Sequence, residues 1–135
     1  MDELPDWPHG TAAVLAVRGP HAIPVSTAVR LDGSRAAFAL ARRRDTLARL
    51  RDDPAAALTL FAPGLAFTAH GAAEVVREEL DASASVAALV LRVERIQDHL
   101  EGARTEIVGA PQWRWTNDEA AVADANIRAE LGRLA

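Results

Sequence analysis

The chain has no cysteine among its 135 residues, which excludes disulfides, thiolate nucleophiles and cysteine-ligated metals. Lysine is missing as well, so no Schiff base can form on a side chain. Tyrosine is absent, and three tryptophans and three phenylalanines are the whole aromatic complement, too few for a surface that stacks nucleic-acid bases. No apolar run approaches the ~20 residues of a membrane-spanning helix. The opening MDELPDWPHG is acidic and holds two prolines, unlike a secretory leader, so the expected location is the cytoplasm, away from membranes.

What is present is unevenly charged. Net charge is −4, yet Arg35 to Arg51 contains six arginines against one acid, Asp45. The rest of the chain is strongly acidic. Such a field repels a polyanion, so nucleic acid is not an expected partner, whereas a small anion suits a local basic island. With half its residues apolar and a quarter charged, the chain reads as a single globular domain over 1–135.

Residues 1–10 read as an arm, with room for one helical turn. Thr11–Arg18 is a compact apolar strand closed by Gly19-Pro20. Ile23, Val25, Thr27, Val29 and Leu31 alternate as one long strand, and Asp32-Gly33 is hairpin chemistry leading into a return strand, Arg35–Ala41. Leu47 and Leu50 mark a short helix, capped by Asp45 or Thr46 and ended before Pro54. Three further strands follow, Ala55–Ala62, Leu65–Glu79 and Ser85–Gln97, with Gly71 marking a bulge or a close approach. Thr116-Asn117-Asp118-Glu119 reads as a capping box that opens a C-terminal helix over 116–134. The fold class is therefore mainly β: six antiparallel strands able to close into a small barrel over 11–100, with one internal and one C-terminal helix.

FALARRRDTLARL, residues 38–50, places three arginines at the start of the internal helix, where the helix dipole disfavours cations. Helix N-termini expose unpaired amides, and guanidinium forks match phosphate oxygens in pairs. A bound phosphate would therefore relieve the repulsion among Arg42, Arg43 and Arg44, with Thr46 supplying a hydroxyl and Arg49 facing the same way.

PHAIPVSTAVRLDG (20–33), FALARRRDTLARLRDDPAAALTL (38–60) and FTAHGAAEVV (67–76), in this order and spacing, resemble the pyridoxamine 5′-phosphate oxidase-like split-barrel family. The resemblance implies a six-stranded split β-barrel that binds FMN, or in some branches a deazaflavin coenzyme, at a homodimer interface. It implies an oxidoreductase that passes hydride or electrons to a small-molecule substrate without a catalytic side chain. Carried over by position, the phosphate contacts fall on Ala41, Arg42, Arg43, Arg44 and Thr46, and the ring lies along Pro24, Val25 and Ser26. The C-terminal region of that family reaches the cofactor, which gives Trp113 a place over the ring. Two positions depart from the pattern: Thr46 stands where many members have lysine, and Leu40 where many have threonine. These departures keep a second class open, a non-catalytic carrier or sensor of FMN, haem or another phosphate- or carboxylate-bearing ligand.

Other chemistry finds little support. His9, His21, His70 and His99 are isolated from one another and from carboxylates at ligand spacing, so no metal site is expected. Ser26, Ser34, Ser83 and Ser85 lack a nucleophile-elbow sequence. Trp113 and Trp115 either staple the last helix to the barrel or anchor an interface.

Overall fold

The alternating stretch from Ile23 to Leu31, expected as one strand, is two. The computed structural model describes all 135 residues, with seven strands and two helices: β1 (Ala12–Val17), β2 (His21–Val25), β3 (Val29–Asp32), β4 (Arg35–Ala41), α1 (Asp45–Asp52), β5 (Ala55–Ala62), β6 (Leu65–Arg77), β7 (Val86–Asp98) and α2 (Asp118–Gly132). They form one antiparallel sheet in the order β2-β1-β5-β6-β7-β4-β3, so two strands that are neighbours in sequence lie at its opposite edges. The count of six is corrected to seven because the chain leaves β1 at Val25 and joins β4 at Val29. Between these strands the side chain of Thr27 replaces the ladder: its hydroxyl accepts from the Ala39 amide at 2.9 Å and donates to the Ala39 carbonyl at 3.3 Å.

The break also changes which surface the apolar residues serve. Ile23 and Val25 pack on the main core, which includes Leu15, Phe38, Leu58, Leu60, Phe67, Leu89 and Leu91. Val29 and Leu31 pack instead on a second cluster, where Leu131 and Ile127 of α2 meet Ala37, Ala88 and Val90. Thus β4 and the first half of β7 are buried on both faces, which explains their unbroken apolar runs.

Turn chemistry sets the hairpins. Gly33 and Ser34 form the two-residue turn between β3 and β4; the Ser34 amide and then the Arg35 guanidinium, both bonded to Asp32, hold that carboxyl down at about 2. Gly71 meets both of its expectations. The β6–β7 register shifts between His70 and Gly71, and a Cβ there would run into the Arg92 carbonyl.

Three local expectations are corrected. The arm has no helical turn; it runs extended, with Leu4 in the main core, the Leu4 amide donating to the Gly33 carbonyl at 2.8 Å and the Trp7 indole to the Ala28 carbonyl at 3.2 Å. Burying that leucine contributes ~1.5–3 kcal/mol. Neither Asp45 nor Thr46 caps α1: Arg44 is the N-cap and makes no side-chain capping bond. In α2 the cap is Asn117 rather than Thr116, its side chain accepting from the Ala120 amide at 2.8 Å, because Asn117 is the last extended residue. Neither helix is long and apolar enough to cross a membrane.

Candidate functional site at the strand-to-helix turn

The ladder between β4 and β7 extends one bond beyond Ala41, with the Arg42 amide donating to the Ser85 carbonyl at 2.9 Å. The chain then turns, the Arg44 amide donating to the Ala41 carbonyl at 3.0 Å, and the helix begins with the Leu47 amide on the Arg44 carbonyl at 3.1 Å. Leu47 and Leu50 anchor α1 in the core, which fixes its first turn against the strand end. The amides of Arg43, Asp45 and Thr46 have no acceptor in the protein. A helix start with free amides is a ready receptor for an anion.

Around it lies an open cleft of about 980 Å³, lined by Ala41, Arg42, Arg43, Arg44, Arg51 and Glu78 among others. Four arginines face two acids there, Asp45 and Glu78, leaving a formal charge of +2. The arginines are not equivalent. Arg51 is gripped by Glu78 through two contacts of 3.1 and 2.5 Å, a pairing that lowers the carboxyl's pKa and raises that of the guanidinium. Arg42 touches Glu79 at 3.6 Å and the Ala84 carbonyl at 3.4 Å. Arg43 and Arg44 are exposed and make no ion pair or hydrogen bond through their side chains. Asp45 is drawn away to Arg49 at 2.7 Å, whose bond and charge lower its pKa. The two uncommitted guanidinium groups therefore stand beside the three uncommitted amides.

The expected site residues divide between two clefts and the interior. Ala41, Arg42, Arg43 and Arg44 come together in the basic cleft. Thr46 does not join them: it is buried, and its hydroxyl is hydrogen-bonded to His21 Nε2 at 2.8 Å. That bond ties the start of β2 to the start of α1. Pro24 is exposed on edge strand β2 and Val25 is buried beneath. Ser26 and Trp113 line a separate, smaller cleft of about 240 Å³. Arg49 turns toward Asp45 and the Arg18 carbonyl, out of the basic cleft. Arg51 is the cleft residue that sequence reasoning passed over. Its spacing was readable, because Arg44, Ala48 and Arg51 recur at four and three residues on one helical face. Glu78 arrives from β6–β7 sequence with no such signal.

No family model and no curated protein matches the chain. Its fold is similar to that of solved structures: HupZ of Group A Streptococcus (TM-score 0.58, 16% identity, covering 76% of this chain and 90% of that one), an F420 reductase (TM-score 0.56, 15% identity, 66% and 90%) and a candidate pyridoxamine 5′-phosphate oxidase of Listeria innocua (TM-score 0.53, 18% identity, 67% and 89%). At these identities the likeness establishes the fold alone: the chain has the split-barrel fold that these structures share.

Proposed function

We propose that this split barrel is a flavin- or deazaflavin-dependent oxidoreductase that holds the phosphate of its cofactor, FMN in the first instance, in the basic cleft at a homodimer interface. One observation carries the reading: Arg43 and Arg44 are unpaired beside three unpaired amides, in a cleft whose +2 charge balances a phosphate dianion. The fold shared with an F420 reductase and with a candidate pyridoxamine 5′-phosphate oxidase supports it. When bound, the flavin or deazaflavin supplies hydride or electron transfer to a small acceptor.

The chain's own residues bind and position. Arg43 and Arg44 meet the phosphate, while Arg42, fixed through the Ser85 and Ala84 carbonyls, shapes the wall. The His21–Thr46 bond locks β2 to α1, keeping Pro24, Val25 and Ser26, the proposed ring strand, in fixed relation to the phosphate turn. Thr46 thus acts as a positioning residue. Trp113 faces the neighbouring cleft, beside Ser26. A second reading, a non-catalytic carrier or sensor of flavin, haem or a similar anionic ligand, is favoured by the same observation on Thr46: one expected phosphate donor is already spent on His21.

The test is the visible spectrum of the purified protein followed by titration with FMN, riboflavin and deazaflavin. The double variant Arg43→Gln/Arg44→Gln is expected to weaken FMN about tenfold or more, the size of one charge-assisted hydrogen bond, and to leave riboflavin nearly unchanged. Equal loss for both ligands, or no binding of either cofactor, sinks the proposal. Tight binding with no turnover selects the carrier.

A further inference from the structure

The smaller cleft has a construction of its own. It lies where the N-terminal arm, β3, α2 and the segment before α2 converge, and shares no lining residue with the basic cleft. Two arginines reach it. Arg30 donates its Nε to the Leu4 carbonyl at 2.9 Å, and Arg128 donates its Nε to Asp124 at 2.8 Å. In both only Nε is engaged, so four terminal guanidinium nitrogens have no acceptor in the protein. Asp124 is buried, with a side chain 1% exposed, and its second carboxylate oxygen has no partner. Its role here is to hold Arg128 in place with its terminal fork free.

The walls are aromatic. Trp7 and Trp113 have both spent their indole N–H groups, on the carbonyls of Ala28 and Thr11, so what they offer the cleft is ring surface. His9 packs edge-on against Trp113 with ring centroids 4.8 Å apart. The Ser26 hydroxyl, also on the lining, makes no hydrogen bond within the protein. Asp124 offsets one guanidinium, and the almost fully solvated Asp6, 3.8 Å from Arg30, offsets the other only weakly. That balance suits one negative charge and not two. At about 240 Å³ the cleft is smaller than the ~300–1,000 Å³ of drug-sized sites.

We propose that this cleft is a second ligand site, which binds a small monocarboxylate bearing a planar apolar group: the carboxylate on the free forks of Arg30 and Arg128, the ring against the tryptophans. None of its residues belongs to the basic cleft, and it shares only Ser26 and Trp113 with the residues the cofactor reading assigns to the ring, so the Arg30 and Arg128 variants test it apart from that reading.

The molecule carries its own reporter. Trp7 and Trp113 line this cleft, and Trp115, the one remaining tryptophan, packs edge-on against Trp113 with ring centroids 5.7 Å apart. Tryptophan fluorescence is titrated with benzoate, benzamide and inorganic phosphate. A saturable change is expected with benzoate, about tenfold or more weaker with the uncharged benzamide, and not reproduced by phosphate. Arg128→Gln and, separately, Arg30→Gln should each weaken benzoate about tenfold, while Arg104→Gln, an equal charge change on an exposed loop outside the cleft lining, should not. Should Arg128→Gln fail to fold because Asp124 loses its partner, Arg30→Gln and the benzoate–benzamide comparison on the unaltered protein still decide. No saturable change, equal affinity for benzamide, or displacement of benzoate by equimolar phosphate overturns the proposal.

Discussion

Glu130→Gln is the substitution whose outcome the structure specifies most fully. Glu130 is 3% exposed on α2, and its carboxylate accepts from the amides of Asp81 at 2.9 Å and Ala82 at 2.8 Å while lying 3.1 Å from Arg77. Burial pushes its pKa up, but the Ala82 and Asp81 amides, with Arg77 and Arg133, outweigh burial and leave it below the ordinary glutamate value. Glutamine keeps the shape and loses the charge, and its NH₂ must confront one of the two amide donors. A lost charge-assisted bond of this kind costs about 2 kcal/mol at pH 7, or roughly 6–10 °C in Tm for a domain of this size. Because the folded pKa is depressed, the wild-type advantage is complete above the unfolded value, ~4.3, and is lost as pH falls through the folded value. Urea unfolding of both proteins at pH 7 and pH 3 measures it. Other carboxylates, Asp32 among them, titrate alike in both proteins and cancel in the difference. A gap that is the same at both pH values would refute the reasoning, since the contact would then not act through its charge. The effect bears on the site too, because the loop Glu130 clamps continues into Ala84 and Ser85, whose carbonyls hold Arg42.

Two other substitutions test the frame. Gly71→Ala should destabilise the barrel by about 2 kcal/mol or more, because the added Cβ meets the Arg92 backbone carbonyl, which cannot move without disturbing the β6–β7 ladder; thermal melts check this. Leu4→Ala should cost about 2–3 kcal/mol, at the low end for a buried leucine because the arm can resettle, with faster proteolysis before Ala12 as the second readout.

Much of the frame was legible because tight turns and periodicity are local. Asp32-Gly33, Pro63-Gly64 and Gly71 each mark a turn or bulge that needs no knowledge of the rest of the chain. Alternation failed at Thr27 for an equally physical reason. It reports which side of a strand is covered, and Val29 and Leu31 are half-buried, but under α2 rather than inside the barrel. The pattern continues unbroken while the partner strand and the covering layer both change. Leu4 was invisible for the opposite cause: one leucine among acids and prolines has no period to read. At the site, the arginine run and the helix start showed where positive charge accumulates. Which guanidinium groups remain free depended on Glu78 and Glu79, brought in from across the sheet. The same holds for Thr46, whose turn inward is decided by His21, twenty-five residues away.

The two sheet edges, β2 and β3, are joined by only three residues, 26–28. A covalent tether that short spans no more than ~14 Å from Val25 to Val29 even when fully stretched, so the seam cannot gape at that end. At the other end the edges are held by different elements: His21 is pinned to Thr46 of the internal helix, and Gly33 to Leu4 of the arm. Thr27, buried and bonded to both the amide and the carbonyl of Ala39, makes that tether an anchored corner. Each edge thus answers to a different part of the chain, β2 to the internal helix and β3 to the N-terminal arm.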